Sequence, residues 1–126
     1  MSETRYSQDH EWVRNEGGDI VSIGITDYAQ QELGDIVFID LPSEGDEFDA
    51  GEEIAVIESV KAAEGLKTPI SGEVIEVNVK LEVSPETVND SPEGDGWFCT
   101  ILMIEPSEFK DLMSEDDYKQ FVSGLQ

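Results

Sequence analysis

Few residues of this 126-residue chain could do chemistry of their own. His10 is the single imidazole and Cys99 the single thiol. General acid–base catalysis needs a group that titrates near neutrality. His10 sits in a polar N-terminal stretch just before Glu11 and Trp12, where a partly exposed structural histidine is the plain expectation. Cys99 falls inside the most apolar stretch, residues 97–104, where a thiol packs and stays inert. Carboxylate pairs occur everywhere at this composition and point nowhere. There is no Walker loop and no GxGxxG, and residues 89–97 carry acids and glycines without the ligand spacing of a calcium loop. An autonomous enzyme is not expected, and no metal site is read.

One lysine is differently placed. Lys61 lies in Glu58-Ser59-Val60-Lys61-Ala62-Ala63. Ahead of it runs the strand-like Glu53–Ser59; behind it come residues 66–70, then Ser71-Gly72 and a further strand pattern. A hairpin tip presents one amine far from the core, within reach of a modifying enzyme, and small neighbours let that enzyme approach. Taken alone, a lysine in an exposed turn is ordinarily just solvated, so its meaning rests on its surroundings.

Those surroundings read as short strands. Val21, Ile23 and Ile25 alternate with Ser22 and Gly24; Val37, Ile39 and Leu41 alternate before Pro42. Ile75, Val77, Val79 and Leu81 alternate with polar residues, predicting one half-buried strand over 73–81. Residues 97–104 are nearly continuous in apolar side chains and read as a strand buried on both faces. Turn signals separate these runs at Gly17-Gly18, Gly45-Asp46, Ala50-Gly51, Ser71-Gly72 and Gly94-Asp95-Gly96. An antiparallel sandwich or barrel follows. Helices are short. Thr26 caps one that runs through Leu33 and stops at Gly34. Ser84-Pro85 fits a cap followed by a first-turn proline, leading to a turn that ends at Asn89. A helical C-terminal segment spans about 106–125, where Ser114 starts a stripe of Tyr118, Phe121, Val122 and Leu125 that packs on the sheet. Nothing reads as a linker, so one domain over 1–126 is expected.

Thirty acids against seven lysines and arginines give a net charge of −23. That excludes nucleic acid, whose phosphates need a basic footprint, and anionic membrane surfaces. No apolar run approaches the ~20 residues of a membrane helix, and the polar residues 1–11 do not read as a signal peptide. A single cysteine fits a reducing compartment, so a cytoplasmic setting is expected, and a monomer is expected because the long apolar strands can all be used internally. The triplet Asn89-Asp90-Ser91 matches a glycosylation acceptor by chance. A folded chain of this mass exposes roughly 6,700 Å², which puts the acids about 15 Å apart. The Debye length is ~8 Å at physiological ionic strength and ~3 Å at 1 M. An acid coat spread over the whole chain therefore reads as adaptation to a salty cytoplasm, against the alternative of an ordinary acidic protein.

Glu58-Ser59-Val60-Lys61-Ala62, followed by Pro69-Ile70-Ser71-Gly72-Glu73-Val74, resembles the lipoyl-lysine hairpin of the glycine cleavage system H protein family. Asp9-His10-Glu11-Trp12-Val13, Gly24-Ile25-Thr26-Asp27-Tyr28-Ala29-Gln30 and Leu33-Gly34-Asp35-Ile36-Val37-Phe38 resemble further blocks of that family in the same order. So do Asn78, Leu81, Pro85, Val88-Asn89, Pro92 and Gly96-Trp97. The likeness covers residues 5–125.

The resemblance implies a mainly β barrel-sandwich hybrid with short helices and a C-terminal helix. It implies lipoate joined to Lys61 as an amide, with Glu58, Ser59, Val60 and Ala62 forming the attachment motif read by a lipoate-attaching enzyme. It implies three further partners: a PLP-dependent glycine decarboxylase, a tetrahydrofolate-dependent aminomethyltransferase and dihydrolipoamide dehydrogenase. The cofactor carries the chemistry and the protein carries the cofactor. In that family the loaded arm folds into a surface cleft; the cleft glutamate falls on Glu11, beside His10. An acidic cleft position falls on Gly65, which has no side chain, leaving Glu64 to substitute or the shielding weaker. The rival readings are another swinging-arm domain, a relay that donates lipoate to other enzymes, and a cofactor-free acidic interaction module. Lipoyl domains of 2-oxo acid dehydrogenases carry Asp-Lys-Ala and biotin carriers Met-Lys-Met, where this chain has Val60-Lys61-Ala62.

Overall fold

Turn residues cut the chain into nine strands and five short helices among residues 3–125, which a computed structural model describes. Met1, Ser2 and Gln126, the ends of the expected 1–126 span, lie outside the described residues. One antiparallel sheet has the spatial order β1 (Thr4–Tyr6), β2 (Glu11–Gly17), β3 (Ile20–Ile25), β9 (Cys99–Met103), β8 (Gly72–Val77), β5 (Glu47–Phe48). The other is antiparallel too, in the order β4 (Ile36–Asp40), β6 (Glu53–Ser59), β7 (Ala63–Lys67). Apolar side chains from both sheets meet in one core that includes Val13, Val21, Ile23, Ile39, Ile57, Val74, Phe98 and Ile101, with Ile70 from the β7–β8 link. Fully burying each such side chain is worth ~1.5–3 kcal/mol.

Helix α1 (Asp27–Leu33) forms as its caps predict. The Thr26 hydroxyl accepts the Ala29 N–H, and Gly34, at φ 77°, ends the helix in a conformation that favours glycine. Helices α2 (Lys80–Val83), α3 (Thr87–Asp90) and α4 (Ser107–Lys110) are single turns. The expected C-terminal helical segment is two pieces, α4 and then α5 (Glu115–Ser123), which Ser114 caps. α5 lays Tyr118 against Tyr6 and Trp12, with Phe121 and Val122 packing on the same cluster. That seals the open end of the larger sheet. Leu125, the last member of the expected stripe, stays half exposed. Gly24 serves this packing: a Cβ there would stand 2.6 Å from the Trp12 indole.

Several local expectations fail, and irregular pairing explains the clearest. The register slips between Ile36 and Phe38, so Ile36 and Ile39 point inward while Val37 and Phe38 face solvent, against the expected Val37–Ile39–Leu41 face. A second slip between Val74 and Glu76 buries Val74 and exposes Ile75. One extra residue on one strand reverses every following face. The strand expected over 73–81 stops at Val77, where Asn78 donates both amide hydrogens to the carbonyls of Asp95 and Trp97. Leu81 reaches the core from α2 instead. β3 is buried on both faces. In residues 97–104 the outer half is not: Leu102 and Ile104 are exposed. Ser84 closes α2 and caps nothing; α3 begins after Glu86 without a side-chain cap.

Candidate functional site

The Lys61 hairpin is built by β6 and β7, paired up to Glu58 and Ala63. The returning arm begins at Ala63, three residues earlier than the expected 66. Ser59 shapes the tip. Its N–H donates to the Ala62 carbonyl at 2.8 Å, and its hydroxyl accepts the N–H groups of Lys61 and Ala62, both at 3.2 Å. Val60 is 66% exposed, yet its N–H donates to the Asp35 carbonyl at 2.9 Å, which anchors the tip to the start of β4. Glu58 and Ala62 are exposed. Lys61 is exposed, and its stem crosses Gly34, where a Cβ would come within 3.2 Å of Cε. The Lys61 Nζ donates at 3.5 Å to the Glu32 carbonyl, in the last turn of α1, where the helix end favours a cation.

A cleft of about 170 Å³ opens beside that contact. His10 enters it from the turn before β2 and Glu11 from the start of β2, Tyr28 and Glu32 from α1, and Glu64 and Gly65 from β7; Ile25 and Ile57 are also in its wall. The two residues that the resemblance assigns to the cleft, His10 and Glu11, therefore do lie in one cleft, and Glu32 links it to the Lys61 amine. Glu64 brings a further carboxylate beside those of Asp9, Glu11 and Glu32. Gly65 contributes only backbone, because the Glu53 carboxylate fills the place of a side chain there. A larger recess of about 370 Å³ adjoins α1 as well, between Asp27, Glu93 and Tyr118; it shares Tyr28 with the cleft, and no residue of the hairpin lines it.

Glu11 is 4% exposed, buried and not a solvated carboxylate. Its Oε1 accepts the Ser7 hydroxyl at 2.6 Å. Burial pushes its carboxyl up to about 7; the Ser7 hydroxyl and Lys67 pull it down, and Asp9 pushes it up. His10 is half-buried at φ 69°. Its ring lies 4.5 Å from that of Tyr28, and Nδ1 is 2.8 Å from the Tyr118 hydroxyl. Burial pulls its midpoint below the ordinary 6.5, with Asp9 and Glu32 opposing. Cys99 is fully buried, which pushes its thiol up to about 12 and leaves it unreactive at neutral pH.

Glu32 carries no motif in the sequence, and Tyr118 reads there only as part of the packing stripe of the last helix. Glu32 stands four residues after Tyr28, and the Tyr28 hydroxyl donates to its carboxylate at 3.1 Å; that helical spacing was the available signal. Asn89, which the sequence places in a family block and at the end of a turn, has a linking role the sequence does not announce. It accepts the Ile36 N–H at 2.9 Å and donates to the Gly34 carbonyl at 3.0 Å and the Gln30 side chain at 2.9 Å. It thereby ties the end of α1, under Lys61, to β4.

Two sheets closed on one core, with a lysine-tipped hairpin beside a cleft, make the form of an arm-carrying barrel-sandwich domain. The family model for the glycine cleavage H-protein matches residues 4–124. A glycine cleavage system H protein of Parvibaculum lavamentivorans is 52% identical over 126 residues, the full length of both chains. One of Chromohalobacter salexigens is 53% identical over 95% of this chain and 92% of its own. The crystal structure of a glycine cleavage system H protein from Mycobacterium marinum superposes with a TM-score of 0.87 at 31% identity, covering 96% of this chain and 97% of that one. The chain belongs to the glycine cleavage H-protein family. Its members are lipoyl carriers within a multienzyme system and not catalysts in their own right.

Proposed function

We propose that Lys61 bears lipoate as an amide and that the loaded arm rests in the cleft of His10, Glu11, Tyr28, Glu32 and Glu64. The observation that carries this is the position of the Lys61 amine, exposed on a pinned tip yet touching the Glu32 carbonyl at the cleft's edge. When bound, lipoate would supply a dithiolane whose S–S bond opens to accept the aminomethyl group of glycine as CO₂ leaves at the decarboxylase, and which, once the carbon has passed to tetrahydrofolate and the nitrogen has left as ammonia at the aminomethyltransferase, would be a dithiol for the dehydrogenase to reoxidise. The chain's own residues hold and shield. Ser59 keeps the tip rigid, so a tethered arm swings from a fixed point and meets each docked enzyme at high effective concentration. Glu58 and Ser59, with Val60 and Ala62, form the sequence that a lipoate-attaching enzyme reads. With a midpoint near 7, Glu11 gives up its proton when a cationic amine enters the cleft and takes one back when it leaves. Glu64 offers a further carboxylate, from an exposed position.

The acid coat and the single buried thiol support a salty, reducing cytoplasm as the setting. Among the described residues no helix is long and apolar enough to cross a membrane. The single-domain reading over 1–126 and the monomer belong to the same proposal. The test is the intact mass of protein from its native host, with peptides mapped around Lys61, beside a Lys61→Ala variant. A lipoyl increment on Lys61 is expected, and the variant should lose glycine–bicarbonate exchange while its stability moves by less than ~0.5 kcal/mol. A biotin increment, or exchange that survives the substitution, overturns the assignment.

A further inference from the structure

The C-terminal helix meets His10, one wall of the cleft, through the Phe121 ring, whose centroid is 5.8 Å from that of the imidazole, and through the hydroxyl of Tyr118. Tyr118 of α5 stacks on Tyr6 with ring centroids 4.6 Å apart, and its hydroxyl lies 2.8 Å from His10 Nδ1 and 2.7 Å from Thr26 Oγ1. Thr26 is 1% exposed, and its oxygen already accepts the Ala29 N–H at 3.2 Å as the cap of α1. Its hydroxyl hydrogen must therefore go to Tyr118, the only other polar group it meets among the described residues, or stay buried and unpaired, which is costly. Tyr118 then has one hydrogen to give, and the nitrogen facing it is Nδ1 of His10.

We propose that Tyr118 is a positioning residue for the cleft, holding His10 as a neutral imidazole with its lone pair on Nδ1 and its proton on Nε2. Protonating Nδ1 would set two donors against each other or reverse the chain and strand the Thr26 hydrogen. The lowered midpoint of His10 agrees in direction. The titratable groups around the ring are Asp9 and Glu11 beside it, Tyr28 and Glu32 from α1, Glu64 from β7, and Tyr118 itself. Four of these are carboxyls that suit a cationic amine, and an imidazolium among them would oppose it. This consequence for the arm rests on the cleft reading above; the state of His10 does not.

His10 is the only histidine, so ¹⁵N-histidine labelling of the untagged full-length chain reports on it alone. Long-range ¹H–¹⁵N spectra at pH 8 should show Nε2 protonated and Nδ1 bare. Tyr118→Phe keeps the ring stack and should give mixed tautomers, with the titration midpoint raised by roughly half a pH unit or more toward 6.5. Thr26→Ser, which keeps the hydroxyl, should behave as wild type. A proton on Nδ1 in the wild-type chain overturns the proposal without any variant, and so does a Tyr118→Phe protein with unchanged tautomer and midpoint. In lipoylated, aminomethyl-loaded protein, Tyr118→Phe should lose its cargo to water roughly fivefold faster, the worth of one ordinary hydrogen bond. If loss is equally fast in wild type, Tyr118→Phe and Glu11→Gln while the tautomer shifts as expected, the cleft reading fails and the role of Tyr118 in fixing His10 stands.

Discussion

A buried carboxyl that titrates near 7 leaves a signature in stability. Glu11 ordinarily has a midpoint of 4.5, and in the folded chain burial raises it to about 7. Between these values the folded chain holds the proton more tightly than the unfolded chain. Stability is therefore highest below about 4.5, falls as pH rises toward 7, and levels off above. Each pH unit of separation is worth ~1.36 kcal/mol, so the ionised carboxylate costs the fold about 3 kcal/mol at pH 8. Glu11→Gln keeps the shape and the acceptor for the Ser7 hydroxyl but cannot ionise. Urea unfolding of both proteins from pH 4 to pH 8, at constant ionic strength, isolates the effect, because the other carboxylates contribute alike to each. The two should be close at pH 4, with the variant gaining about 3 kcal/mol by pH 8. Parallel stability curves across that range would refute the reasoning, and a variant losing ground as pH rises would reverse its sign.

Asn89→Ala leaves the Ile36 N–H and the Gly34 carbonyl without their partners and should cost about 2–4 kcal/mol. Denaturant melts measure it, faster exchange of the Ile36 amide localises it, and a loss under ~0.5 kcal/mol would deny Asn89 its linking role. The acid coat is nearly unpaired: Arg5–Glu3, at 2.8 Å, is the one ion pair among the described residues. Melting temperature should therefore climb with KCl, mostly below ~1 M, where the Debye length falls from ~10 Å to ~3 Å. A flat response would point to an ordinary acidic protein.

What was legible along the chain follows from range. α1 was readable because its signals are adjacent: the Thr26 hydroxyl meets an N–H three residues on, and Gly34 sits where the chain must turn left-handed. The hairpin tip was readable for the same reason, since Ser59 satisfies amides two and three residues away. The inward faces of β4 and β8 were not readable. Each contains a register slip, and alternation cannot tell a slip from a strand boundary until the partner strand is known. The end of β8 is also a long-range matter, because Asn78 bonds to carbonyls 17 and 19 residues ahead.

The cleft divides in the same way. Place in a turn between two strand patterns set Lys61 apart from the four other lysines, and the order of the surrounding motifs pointed to the family. The state of the cleft was beyond reach of any local pattern. Glu11 resembles twenty-nine other acids until the fold buries it and lifts its midpoint to about 7. His10 resembles a surface histidine until a tyrosine 108 residues away faces its Nδ1. Burial and hydrogen-bond partnership belong to packed neighbours, and which neighbours pack is settled only when α5 closes over the sheet.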